Sequence, residues 1–289
     1  MKKSGLIYII LASILWGTSG IFVNNLAPYG VTSLQMTFVR GLISFACMGI
    51  FVLLSGRSIV KTNFKEILLF IGSGFSFFLT ASCYYQSMQL TSVSTAVVLM
   101  YTAPIFVMIY STTFLGEKLS RMKLIAVIGM IAGCCLVSGI IGGLKFDAMG
   151  IVIGFLSGIS YATYNIITKI EMQKGINPVK ANFYCFLFSM IVGMVVAKPA
   201  GIIDCISQNP PVVISLSAGV GVFACILPYF LYTMALREIP VGTAASLGIL
   251  EPMAATILSV LILGEMLSLY SAIGIVLILG SVFILSKED

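Results

Sequence analysis

The 289-residue chain has no histidine and few charges of either sign: 16 Lys and Arg and 10 Asp and Glu together make up 9% of it. Without histidine the commonest general base and the commonest metal ligand are gone, and no cluster of carboxylates replaces them. The seven cysteines, at 47, 83, 134, 135, 185, 205 and 225, show no CxxC spacing and lie mostly inside apolar runs, where they read as small apolar filler. There is no Walker-type glycine loop and no soluble stretch to house one, so nucleotide hydrolysis within the chain is disfavoured. These absences argue against an enzyme, a metal site and a cofactor. A charged fraction this far below the roughly 25% of soluble domains also argues against a water-facing surface.

What is present is apolar. Hydrophobic residues make up 59% of the chain, and runs of about 20 residues recur from end to end, each long enough to cross a hydrocarbon core as a helix. Ten are expected, near 4–26, 32–55, 66–88, 93–115, 121–141, 148–168, 180–198, 212–236, 241–264 and 268–286. The first carries Lys2 and Lys3 ahead of it but no small-residue cleavage site, which favours a retained helix over a secretory signal. With ten spans and both termini in the cytoplasm, thirteen of the sixteen basic residues fall at cytoplasmic ends (2, 3, 57, 61, 65, 118, 121, 123, 169, 174, 180, 237 and 287), and Lys145 and Lys198 fall outside. Positively charged loops resist translocation, so the net charge of +6 is a topology signal and not a nucleic-acid footprint.

The chain writes LGEKLS at 115–120 and LGEMLS at 263–268. At that offset of 148, Pro104 matches Pro252 and Glu117 matches Glu265; near 145, Gly5 matches Gly150 and Trp16 matches Tyr161. One copy follows the fourth span and the other the ninth, so each half has five spans, and an odd number turns the second half upside down. The expected organisation is an inverted pair of repeats, 1–142 and 143–289. Gly116 and Gly264 can end a helix in a left-handed conformation while Ser120 and Ser268 cap the next, leaving short hairpins in which Glu117 and Glu265 reach water or free backbone amides.

With LGEKLS and LGEMLS, ILWGTSGIF at 14–22, FVRG at 38–41 and LEPMAATILSVLILGE at 250–265, the chain resembles the EamA-type transporters of the drug/metabolite transporter superfamily over essentially its whole length. The resemblance implies cytoplasmic termini, an all-α helical basket in the cell membrane whose central cavity opens alternately to each side, and small-metabolite substrates, including amino acids and amines, with export common. Two complete halves favour a self-sufficient monomer, with oligomers possible, over a binding or flipping subunit that needs a partner chain. An uptake or facilitative carrier for cationic or quaternary amines is the alternative substrate reading.

Arg40 and Glu251 are the charges that fall well inside the expected spans, where each is costly and therefore faces protein or a watery cavity. Glu251 admits three roles: proton carrier, counter-charge for a substrate amine, or an anion tied up by Arg40 or a helix dipole. Pro252 beside it removes a backbone donor and frees a carbonyl near Gly248. Polar stripes at helical spacing mark the cavity walls: Ser76, Thr80, Cys83 and Ser87; Ser157, Tyr161, Tyr164 and Thr168, with Asn165 adjoining; Ser13, Gly17, Gly20 and Asn24; Cys225, Tyr229 and Tyr232. Ser and Gly at such positions equally serve close helix packing. Trp16, Tyr84, Tyr101, Tyr161, Tyr164, Tyr229 and Tyr232 offer aromatic faces and hydroxyls suited to amines or amphipathic metabolites, while Tyr8, Tyr29 and Tyr270 sit where interface anchors belong. Candidate partners are thus a small solute, the lipid bilayer and possible coupling protons.

Overall fold

The computed structural model describes residues 3–139, 147–263 and 266–288. Gly264, Glu265, Lys2, Lys145 and the expected boundary between the halves lie outside the described residues, as do the surroundings of Gly20 and the side chain of Asn24. Among the described residues the chain forms fifteen α-helices and no strand.

Local sequence sets the helix starts. Thr32 and Gln35 form a capping box ahead of α3 (Ser33–Ser55), and Asn63 and Glu66 form another ahead of α4 (Phe64–Leu90). Ser120 accepts the Lys123 N–H ahead of α7 (Arg121–Val137), Asp147 that of Gly150 ahead of α8 (Ala148–Gln173), and Asn177 with Pro178 opens α9 (Pro178–Val196). Gly116, with φ +68°, makes the left-handed turn between LGEKLS and the helix before it, a conformation that a side chain would strain.

Four of the rods are interrupted. α1 (Lys3–Gly17) and α2 (Ser19–Leu26) break at Thr18; α5 (Val93–Met100) and α6 (Ala103–Phe114) break at Tyr101 and Thr102, just before Pro104. A short amphipathic α10 (Ala200–Gln208), which the hydropathy pattern does not announce, precedes a rod made of α11 (Pro210–Gly221), a π-helical turn at Val222–Ile226 and α12 (Leu227–Glu238). α13 (Val241–Leu247) and α14 (Leu250–Leu263) break at Gly248 and Ile249, just before Pro252, and α15 (Leu269–Glu288) ends the chain.

Among the described residues seven stretches are long and apolar enough to cross a membrane: Leu34–Ser55, Phe64–Leu90, Thr95–Phe114, Ala148–Gln173, Pro178–Val196, Pro210–Glu238 and Val241–Ile262; Lys3–Gly17 and Leu269–Leu285 are shorter apolar helices. Their outer faces carry large apolar side chains such as Leu54 (83% exposed), Val195 (80%) and Leu261 (74%), which suits hydrocarbon as the surrounding solvent.

The helices pack across the halves in exchanged pairs. α1 lies against α12 and α14, while α8 lies against α4, α5 and α6; α3 meets α9, and α7 meets α15. The last contact is close because Gly133 and Gly274 face each other: a Cβ on either would stand 2.8 Å or less from the other's carbonyl oxygen. Where α1, α4, α8 and α12 converge, Trp16, Phe77, Tyr161, Tyr164 and Tyr232 form a buried aromatic centre.

Candidate functional site

A cavity of about 270 Å³ sits above this aromatic centre. Its lining on α4 runs from Phe77 through Thr80 and Tyr84 to Met88, so it extends towards the C-terminal end of α4, beside which α8 begins. Trp16, Arg40, Tyr161, Tyr229 and Glu251 complete it from α1, α3, α8, α12 and α14. Polar and apolar lining alternate, as in small-molecule sites that fix a ligand by a few placed polar groups.

Arg40, 9% exposed, is held between aromatic faces: its Cζ lies 5.3 Å from the Phe77 ring centroid and 5.9 Å from that of Tyr229. The π turn at Val222–Ile226 brings Cys225 against the guanidinium and Ala224 to the cavity wall. Nε of Arg40 has no hydrogen-bond partner.

Glu251 lies in the first turn of α14, at the break in its rod. The Tyr101 hydroxyl, itself at the break between α5 and α6, donates to Glu251 Oε2 at 2.6 Å, tying the two broken rods together. The carbonyl expected to be freed by Pro252 is occupied: Gly248 O accepts the Glu251 N–H at 2.9 Å, and the preceding Leu247 O accepts the Ser13 hydroxyl at 3.3 Å. The break is thus closed by α1 and by a tighter turn. No salt bridge joins Arg40 to Glu251 among the described residues, although the two side chains interact electrostatically across the chamber that both line.

The remaining candidates separate into groups. Tyr84, Tyr161, Tyr229 and Trp16 line the cavity; Tyr101 stands behind Glu251; Tyr164, Tyr232 and Asn165 are buried beneath the cavity floor. The Tyr232 hydroxyl and both polar atoms of Asn165 lack partners. Pro104 and Pro252 follow the two helix breaks. Glu117 reaches across to the other half, where its carboxylate accepts the N–H groups of Val241 (2.9 Å) and Gly242 (3.3 Å) at the start of α13. Sequence reasoning missed Phe77, Tyr85, Met88 and Met100 in the wall, because apolar side chains in an apolar helix carry no mark of facing a cavity. It also missed Glu171, which the expected span boundary at 168 left outside the membrane; α8 continues to Gln173 and buries it to 1% exposure. Among the described residues no three metal-ligating side chains gather.

A multi-pass, all-helical protein with an apolar outer surface and a charge-bearing, solute-sized chamber at its centre has the build of a membrane carrier. The profile of the EamA-like transporter family matches the chain twice, over residues 3–139 and 148–287, and the chain belongs to that family. An uncharacterised transporter of Archaeoglobus fulgidus is 29% identical over 281 residues, covering 97% of this chain and 95% of its own length. YwfM, an uncharacterised transporter of Bacillus subtilis, is 27% identical over 285 residues, covering 97% and 93%. A crystal structure at 16% identity superposes with a TM-score of 0.82 over 99% of this chain and 98% of the other, a likeness of fold.

Proposed function

We propose that the protein is a secondary transporter that binds a small zwitterion between Arg40 and Glu251 and carries it across the cell membrane by alternating access. The observation that carries this reading is that Arg40 and Glu251, groups of opposite charge type that make no salt bridge with each other, line one cavity of about 270 Å³. A ligand carboxylate reaches Arg40, whose Nε is unpartnered, and a ligand ammonium reaches Glu251, oriented by Tyr101. Arg favours carboxylates because its planar fork matches them. The rest of an amino acid or related compound lies against Trp16, Tyr84, Tyr161 and Tyr229, whose rings suit both the ammonium and an apolar side chain.

The exchanged packing of α1 with α12 and α14, and of α8 with α4, α5 and α6, supports an inverted pair of five-span halves, 1–142 and 143–289. In that frame the protein has ten spans with both termini cytoplasmic, the end bearing Lys169, Lys174 and Lys180 faces the cytoplasm, and the cavity mouth faces out. We take the direction as export, with a proton as the coupling ion and one chain as the working unit.

Thermal unfolding of the purified protein with three ligands tests the cavity: an amino acid, its methyl ester without a carboxylate, and its N-acetyl derivative without an ammonium. A bound ligand at about 100 times its dissociation constant stabilises by roughly 2.7 kcal/mol. Stabilisation by the zwitterion alone is the expected result, lost in Glu251→Gln and Arg40→Ala; equal stabilisation by the ester would remove Arg40 from the site.

A further inference from the structure

Below the cavity the polar face of α8 does not end. From Tyr161 it continues through Asn165 and Thr168 to Glu171, spaced four, three and three residues apart, and all four are buried. At 1.5 Å per residue, Asn165 and Glu171 lie about 6 Å and about 15 Å beyond Tyr161 along the helix axis, on the side away from the cavity mouth. This half of the molecule holds hydrogen-bonding capacity with nothing to bond: both polar atoms of Asn165, the Tyr232 hydroxyl and Glu171 Oε1 are buried without partners.

Glu171 stands out in this set. It is 1% exposed, forms no ion pair and lies outside the cavity lining. Its polar neighbours are the Ser73 hydroxyl of α4, the Cys185 thiol of α9 and the Tyr164 hydroxyl further back on α8. Of the other titratable groups on the elements around α8, Lys65, Lys174 and Arg237 make no ion pair with Glu171, and several more are held by other partners. Lys180 of α9 pairs with Glu66 of α4; Lys169 of α8 donates to Leu236 O and Ile239 O; Tyr101 is bonded to Glu251; Tyr164 and Tyr232 pack in the aromatic centre. An intramembrane carboxyl without a counter-ion is expensive to keep for packing alone. A proton is the ligand that so packed a position admits.

We propose that Glu171 is a second proton-binding site, separate from Glu251, that exchanges its proton with the face opposite the cavity mouth when that end opens. The proposal rests on the reading of the protein as an alternating-access carrier. In the described conformation the proton sits on Glu171 with the end sealed. On opening, Oε1–H gives the proton to an entering water, leaving a carboxylate that accepts from the Ser73 hydroxyl, while the admitted water also reaches Asn165 and Tyr232.

Infrared difference spectroscopy of the full chain in lipid vesicles, between acid and alkaline buffer, reads this directly, because a protonated carboxyl has a C=O stretch that neither carboxylate nor glutamine shows. Part of the acid-minus-alkaline band is expected to vanish in Glu171→Gln and to persist in Glu251→Gln. A Glu171→Gln spectrum identical to wild type overturns the site. Should Glu171→Gln not fold, Glu171→Asp keeps an acid on a shorter arm and shifts that component, and a folded Glu171→Asp protein with an unshifted band overturns it equally. Transfer to heavy water then tests the route: exchange of the Glu171 component is expected to be on the order of thirtyfold faster or more in Glu117→Ala, which loosens the sealed end, consistent with the loss of the two hydrogen bonds that Glu117 accepts from Val241 and Gly242. An unchanged exchange rate overturns access from that face. No solute is needed, so this test fails independently of the cavity's ligand assignment.

Discussion

The turn between α12 and α13 and the turn between α4 and α5 occupy matching places in the two halves, and they are held by different chemistry. At the first, Lys169 donates to Leu236 O at 2.9 Å and Ile239 O at 2.7 Å, Glu117 accepts the N–H groups of Val241 and Gly242, and the Ser4 hydroxyl donates to Glu238. The orphan carbonyls at one helix end and the orphan amides at the next helix start are thus met by charges, two of which come from other parts of the chain. At the second, Thr91 bonds back to Ser87 O, Ser92 caps Thr95, and Ser87 reaches Gly150 O at 2.8 Å. These are hydroxyls, mostly local. The hydroxyl turn lies at the end of α4 towards which the cavity lining extends, and the charged turn lies at the opposite end. Charge-assisted bonds are roughly twice as strong as neutral ones, so the difference in bonding matches the difference in closure.

That comparison can be broken by substitution, and the effects should be graded. Glu117→Ala leaves two helix-start amides unmet and removes the anion nearest Lys169; we expect a loss of about 2–3 kcal/mol in thermal unfolding and faster thiol labelling of a cysteine introduced at Tyr232. Lys169→Met keeps most of the stem but not the two charged donations, for a loss of about 2 kcal/mol. Ser92→Ala removes an ordinary N-cap at the hydroxyl turn, costing about 1 kcal/mol with no change in labelling from the sealed end. Thr91→Val, which removes only a back-bond within the helix, should cost a few tenths of a kcal/mol. If the two hydroxyl substitutions loosen the sealed end as much as Glu117→Ala does, the asymmetry is not in the turns.

Much of this was legible in the sequence, and the limits have physical causes. Apolar run length marked most of the long rods, and the first hexapeptide marked the turn before α7, because both signals are local. Arg40 and Glu251 stood out because a charge inside an apolar run has no cheap explanation. Lys169 and Glu171 did not, because the hydropathy signal ends where charges begin while the backbone has no reason to stop; α8 extends to Gln173 with Lys169 stretched to the carbonyls of α12. The tyrosines were recognisable as a group, but three residues on a helix are 60° short of a full turn. Periodicity therefore could not place Tyr161 in the cavity wall and Tyr164 beneath it. The π turn at Val222–Ile226, which sets Cys225 against Arg40, leaves no sequence mark beyond the following Pro228.

The most direct test of the central claim is solute exchange in proteoliposomes, measured as uptake of a labelled amino acid into vesicles preloaded with the unlabelled compound. Saturable uptake stimulated by the internal solute, abolished in Arg40→Ala and Glu251→Gln and weakened in Tyr101→Phe, is the predicted result. A ligand that stabilises the protein against heat yet is never exchanged would contradict it, since the cavity would then bind without carrying.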